Sequence, residues 1–116
     1  MAQEIQYPSE NFLYSILKVE SATGTKDLGI RLIEFTEGIK TDKKWEKVDD
    51  NHWILKTKFK DPVINDYRKY SLVFHRLDTV VILSKASFDG HDLSDSELED
   101  LAIHIIRNYK EHLSVK

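Results

Sequence analysis

Lysines that recur at every second position form a set that could bind anions. They alternate with apolar residues on one predicted strand and continue on the next: Lys56, Lys58, Lys60 and Lys69. Alternation of this kind puts the lysines of a strand on one face, where their ammonium groups can hold phosphate or another anion. Nucleic acid would also need aromatic rings on that face, but Trp53 and Tyr70 fall on the opposite one. The alternative interpretation is a solvated face whose lysines oppose aggregation between sheet edges.

A second set of polar residues could line a concave pocket between a curved sheet and the C-terminal helix: Tyr70, His75, Asp89 and His104. His75 shares a predicted strand face with lysine and serine, which suits a pocket wall. His104 lies beside the apolar stripe of a predicted helix. A general base needs a partner within hydrogen-bond reach, and the sequence places no nucleophile or carboxylate opposite either histidine. This set predicts a pocket without identifying a catalytic residue.

Potential metal ligands cluster in the segment Asp89-Gly90-His91-Asp92, but their spacing does not fit a calcium loop. With Gly90 at the sixth loop position, Lys85 and Ser96 would take the first and twelfth positions, and neither is a suitable ligand. The chain also lacks cysteine, a pair of histidines four residues apart, and a Gly-x-Ser-x-Gly motif. We therefore expect no catalytic residue, no metal and no cofactor.

A third set of residues is apolar or aromatic and is expected at the surface: Val63, Ile64, Tyr67, Val81 and Leu83. Such a patch would contact another protein or a second copy of this chain, as in a homodimer.

The element that is most clearly encoded is a C-terminal helix over residues 94–113. Ser94 and Glu97 fit a capping box at its start. Apolar residues then recur at helical spacing along one face: Leu98, Leu101, Ala102, Ile105, Ile106, Tyr109 and Leu113. Acidic residues in the first turn and basic residues near the end complement the helix dipole.

Four strands are predicted ahead of this helix, over residues 44–48, 53–60, 67–77 and 79–88. Short polar turns separate the first from the second and the third from the fourth, so each of these pairs forms a hairpin. An antiparallel meander is the simplest arrangement of the four.

The N-terminal third is predicted to hold two helices. One follows Ser9 as its cap, with a strand over residues 12–20 as the competing interpretation. The other covers residues 26–37, with Gly38 as a left-handed terminating residue. The expected fold class is α+β, with the order α-α-β-β-β-β-α and the helices packed on one face of the sheet.

The composition of the 116 residues is that of one globular domain spanning residues 1–116, with 41% hydrophobic and 32% charged residues. The net charge is −3, which argues weakly against nucleic acid as a partner. Charge is segregated: residues 40–70 hold nine Lys or Arg against six Asp or Glu, and residues 88–116 hold three against seven. The sequence contains no signal peptide and no membrane-spanning run, so we expect a cytoplasmic protein without membrane insertion.

Three functions remain open at this point. The leading hypothesis is a non-enzymatic protein-interaction module, a small adaptor or secretion-chaperone-like domain. The alternative is a domain with a small-molecule-binding or enzymatic pocket. The third is binding of a polyanion through the lysine face.

Overall fold

A computed structural model describes residues 7–21, 23–39, 43–61 and 66–114 of the protein, except for the side chains of residues 59–61 and 112–114. Its elements follow one another in this order: α1 (Glu10–Leu13), β1 (Ile16–Ser21), β2 (Gly24–Arg31), α2 (Leu32–Glu37), β3 (Lys43–Asp49), β4 (His52–Asp61), β5 (Asp66–Leu77), β6 (Val80–Phe88), β7 (His91–Asp92) and α3 (Asp95–Ser114). The prediction of an α+β protein that ends in a long helix is confirmed. Among the helices of these ranges, none is both long and apolar enough to cross a membrane.

The strands form a mixed sheet with the order β2-β1-β6-β5-β4-β3, and β7 pairs with β6. Strands β3 to β6 are antiparallel neighbours in chain order, as a meander requires. β1 lies beside β6 in parallel orientation and pairs antiparallel with β2. The predicted sheet of four antiparallel strands is therefore wrong, because the described residues form a mixed sheet of seven strands.

The N-terminal third departs from the prediction of two helices. Ser9 does cap a helix, its Oγ accepting from the Phe12 N–H at 3.3 Å, but α1 has only four residues and the chain then enters β1. The helix predicted over residues 26–37 begins only at Leu32, because its first half belongs to β2. Gly29 accounts for the difference: its φ of +73° is foreign to a right-handed helix and fits the irregular register between β1 and β2.

Gly38 ends α2 for a reason other than the predicted left-handed turn. Its φ is −72°, an ordinary right-handed value, so that prediction is wrong. A Cβ atom at this position would collide with the carbonyl oxygen of Ile105 in α3. Glycine is therefore required here because α2 and α3 approach each other closely.

The helices α1, α2 and α3 pack on one face of the sheet, termed the inner face. Phe12 of α1 contacts Trp53 and Phe35 of α2 contacts Phe74, with ring centroids 6.5 and 6.1 Å apart. α3 lies against β1 and α2 and adds Ile105 to the same buried cluster. No element of the described ranges covers the opposite face, termed the outer face.

A β-bulge at Ser84 determines which residues of β6 face the core. Residues 73 and 74 of β5 pair with Lys85 and Leu83 respectively, so β6 holds one extra residue at this point. The alternation of side chains is inverted across the bulge, and both Leu83 and Ala86 are buried.

α3 begins with the predicted capping box. The Glu97 N–H donates to Ser94 Oγ at 3.3 Å, and the Ser94 N–H donates to Glu97 Oε1 at 2.9 Å. The hydrogen bond from the Ser94 backbone, followed by that with its side chain, holds the pKa of Glu97 below its ordinary value. The helix predicted over residues 94–113 is confirmed within one residue at each end.

Candidate anion-binding site

The registers of four strands bring lysine and serine side chains into one row across the outer face. From β3 to β6 the paired residues of this row are Lys44, Lys56, Ser71 and Ser87. Two positions further along β4, Lys58 pairs with Lys69 of β5. Because side chains alternate between the two faces of a strand, all six point to the same side.

These residues surround an open hollow of about 400 Å³, termed the lysine hollow. Its lining residues are Lys43, Lys44, Lys56, Thr57, Lys58, Lys69, Tyr70, Ser71, Ser87, Phe88, Asp89 and Gly90. Five of these lining residues are lysines, and Asp89 is the single acid that the described part of the chain contributes. The hollow is therefore a concentrated site of positive charge on a protein whose net charge is negative.

The lining residues contribute to the hollow in two ways. Lys43, Thr57, Tyr70 and Phe88 form the adjacent row, which alternation directs to the inner face. Thr57 and Tyr70 are only 5% and 8% exposed, so they border the hollow through their backbone. The side chains that a ligand can reach are those of the outer rows and the turn that follows β6.

Ring contacts support the hollow from the inner face. The rings of Tyr70 and Phe88 lie 5.4 Å apart, and the Arg68 guanidinium lies 4.4 Å from the centroid of the Phe88 ring. His91 meets Phe88 edge-on at 5.3 Å. These contacts tie β5, β6 and β7 together, which gives the lysines and serines a rigid base.

The lysines of the hollow differ in how they are engaged. Lys56 Nζ lies 3.1 Å from Glu46 Oε1, and Lys43 Nζ donates to a carbonyl oxygen of α2 at 3.0 Å. Lys44 and Lys69 form no ion pair with any side chain that the structure describes. These two exposed lysines therefore offer the most readily available positive charge.

Asp89 and Gly90 form the two-residue turn between β6 and β7, at the rim of the hollow. Their φ angles are +50° and +78°, which suits a type I′ turn, where Asp and Gly are favoured. Asp89 is exposed, and it forms no ion pair within the part of the chain that the structure describes. The Asp89 carboxylate, a hydrogen-bond acceptor, thus lies beside the lysine and serine donors of the hollow.

The structure brings together parts of two sets that the sequence suggested separately. Lys56, Lys58 and Lys69 of the lysine set lie in the hollow with Tyr70 and Asp89 of the pocket set. The side chain of the fourth lysine, Lys60, lies outside the described residues.

Sequence reasoning missed Lys43, Lys44, Ser71 and Ser87. The turn between β3 and β4 does not by itself predict the register of these strands. Asp49 pairs with His52 but Lys47 pairs with Trp53, so the register shifts by one residue between them. That β-bulge moves Lys44 opposite Lys56; without it, Lys44 would face the neighbouring position and point to the other side of the sheet.

The two histidines of the predicted pocket are not part of the hollow. His75 lies two rows away on the outer face, where its ring stacks on that of His52 with a centroid distance of 4.4 Å. His52 Nδ1 lies 2.8 Å from Asp49 Oδ1, and this hydrogen bond holds the pKa of Asp49 below its ordinary value. His104 is half-buried in α3, in the other layer of the molecule. The pocket predicted between sheet and helix therefore does not unite these four residues.

The predicted apolar contact patch also needs correction. Val81 and Leu83 have no exposed surface and belong to the core, because the bulge at Ser84 turns them inward. Tyr67 is 58% exposed, as expected for a surface residue. Val63 and Ile64 lie outside the described residues.

A different apolar group is exposed at the other end of the outer face. Val80 pairs with Ile16 of β1 on one side and with Leu77 of β5 on the other. Ile16 and Leu77 are 47% and 51% exposed. The outer face thus exposes an apolar group at one end, beside Arg31, and a group of lysines at the other.

Comparison with known protein families, with curated proteins and with solved structures gives no significant match for this chain. Within the described ranges, no group of three or more His, Asp or Glu residues is arranged to hold a metal ion. The geometry of the hollow is therefore the main evidence on function.

Proposed function

We propose that the protein is a non-enzymatic binding module whose lysine hollow takes a small anionic ligand that carries phosphate. The observation behind the proposal is the cross-strand row in which Lys44 and Lys56 adjoin Ser71 and Ser87. Lysine ammonium groups and serine hydroxyls all donate hydrogen bonds, and phosphate oxygens all accept them.

The charge of the hollow favours a ligand with more than one negative charge. An ammonium about 4 Å from an anionic oxygen contributes on the order of 1 kcal/mol in water and about 4 kcal/mol near a protein surface, before desolvation is subtracted. The same space is bordered by Lys44, Lys58 and Lys69. A single phosphate can therefore interact with several ammonium groups at once.

The size and surroundings of the hollow favour a small molecule over a nucleic acid. Its volume of about 400 Å³ lies in the range of small-molecule sites. Single-stranded nucleic acids are bound by stacking on successive exposed aromatic rings. Trp53 and Tyr70 are buried on the inner face, so Tyr67 is the one exposed aromatic side chain beside the lysine rows among the described residues. The acidic ends of the sequence would also repel a long polyanion.

The test is a calorimetric titration with pyrophosphate, comparing the wild type with the double variant Lys44→Gln/Lys69→Gln. We expect saturable binding that weakens as salt is added, and a loss of at least about ten-fold in affinity in the double variant. The matched control is Lys18→Gln/Lys110→Gln, which removes the same charge from positions outside the hollow. Absence of binding by the wild type, or an equal loss in both double variants, would contradict the proposal.

Protein interaction is the second candidate, favoured by the exposed apolar group at the other end of the outer face. Ile16, Leu77 and Val80 lie side by side there, and no described element covers them. A second copy of this chain, packed outer face to outer face, is the partner that we propose for this group.

A further inference from the structure

Asp89 is out of place in a site that only holds phosphate. A carboxylate has only acceptors at neutral pH, so it repels phosphate oxygens and lowers the affinity for a bare anion. It nevertheless lies at the rim of the hollow on a two-residue turn, with the lysines beside it. A ligand that interacts favourably with both the lysines and Asp89 must present an anion to the lysines and a hydrogen-bond donor to Asp89.

We infer that the lysine hollow selects small phosphomonoesters that carry free hydroxyl groups, with the phosphate on the lysines and a hydroxyl donating to Asp89. The inference rests on the proposed function and specifies its ligand class. Sugar phosphates and mononucleotides share this chemistry. Ser71 and Ser87 extend the donor row toward β6, whose end carries Asp89, so phosphate and hydroxyl partners lie along one line of the sheet.

The turn presents the Asp89 carboxylate in a fixed backbone frame. Asp89 has φ +50° and Gly90 has φ +78°, and Phe88 pairs with His91 on either side of them. The ring contact between Phe88 and His91 at 5.3 Å holds the base of the same hairpin. The acceptor therefore lies on a braced hairpin, as a specificity-determining residue requires.

The experiment compares two ligands of equal charge, ribose 5-phosphate and propyl phosphate, at pH 7.5 by calorimetry. The wild type should bind the hydroxylated ligand at least about ten-fold more tightly, which is the effect of one charge-assisted hydrogen bond. In Asp89→Gly the preference should fall below about three-fold, because the hydroxyl of ribose 5-phosphate loses its acceptor, whereas the loss of repulsion strengthens the binding of both ligands alike. Glycine keeps the positive φ of the turn.

The matched control is Asp78→Gly, since Asp78 also has a positive φ of +58° and lies in the turn between β5 and β6, outside the hollow. Its ligand preference should equal that of the wild type. Asp89→Asn provides a second variant that keeps the turn and an acceptor; it should strengthen propyl phosphate binding while keeping ribose 5-phosphate bound.

The outcomes separate the two proposals. If the wild type binds neither phosphomonoester nor pyrophosphate, the proposed function fails and the inference fails with it. If both phosphomonoesters bind but equally, or if Asp89→Gly keeps the wild-type preference, the inference alone is overturned. Tighter binding of adenosine 5′-monophosphate than of ribose 5-phosphate would assign the site to nucleotides, and equal binding would assign it to sugar phosphates.

Discussion

Single residues determine how much of the positive charge in the hollow a ligand can use. Lys56 is central to the donor row, yet its Nζ lies 3.1 Å from Glu46 Oε1. Both side chains are substantially exposed, at 51% and 39%, and surface ion pairs of this kind are weak. A phosphate can therefore compete with Glu46 for Lys56, and breaking this ion pair costs little free energy.

Glu46→Gln should strengthen pyrophosphate binding by roughly two- to three-fold, because it frees Lys56 and removes a nearby negative charge. The measurement is the calorimetric dissociation constant at low salt. The control is Glu99→Gln, which frees Lys26 of β2 from an ion pair with α3, outside the hollow. A gain of equal size in Glu99→Gln would show that only net charge matters.

At the scale of whole elements, local patterns predicted α3 and the strands of the meander well. The predictions were wrong where a single residue changes the backbone conformation or the strand register. Gly29, at φ +73°, turns the first half of a predicted helix into strand β2, and the bulge at Ser84 turns Val81 inward. Periodicity cannot reveal such irregularities, because they are fixed by pairing with strands that are distant in sequence.

The stability of α3 should depend on pH through its capping box. Glu97 has its pKa lowered in the folded state relative to an ordinary value of 4.5. A lowered pKa stabilises the fold above the unfolded-state value, and this contribution is lost as pH falls through the folded-state value. Asp49, held by His52, adds an effect of the same sign.

We therefore predict that the free energy of unfolding falls as the pH is lowered from 5 toward 3, a range that brackets that ordinary value. Glu97→Gln should show a smaller decrease, since glutamine can keep the hydrogen bond to Ser94 but does not titrate in this range. Urea unfolding at several pH values measures both. Identical pH dependence in the two proteins would contradict the role assigned to Glu97.

At the scale of the whole molecule, the two ends of the outer face differ in chemistry, and this bears on self-association. If the apolar end holds a second copy, native mass spectrometry at two concentrations should show a dimer that increases with concentration. Leu77→Asn should reduce the dimer, because it puts a polar group into that contact. A monomer at both concentrations would remove the second candidate function.

The site was less predictable than the fold because it is assembled from four strands. The alternation of Lys56 and Lys58 was visible in the sequence, but their neighbours Lys44 and Ser87 depend on register across the sheet. The bulge between Lys47 and Asp49 sets the first of these registers. Charge counting indicated a basic middle segment and could not show that β3 joins its lysines to those of β4.

Binding of an anion in the lysine hollow can be followed residue by residue through backbone amide chemical shifts. A titration of the ¹⁵N-labelled protein with pyrophosphate should shift the amides of Lys44, Lys56, Lys69, Ser71, Ser87 and Asp89, while those around Ile16 and Leu77 stay in place. Repetition with Lys44→Gln/Lys69→Gln at the same ligand concentrations should sharply reduce these shifts. Shifts spread evenly over the lysines of the whole surface, or centred outside the hollow, would contradict the account.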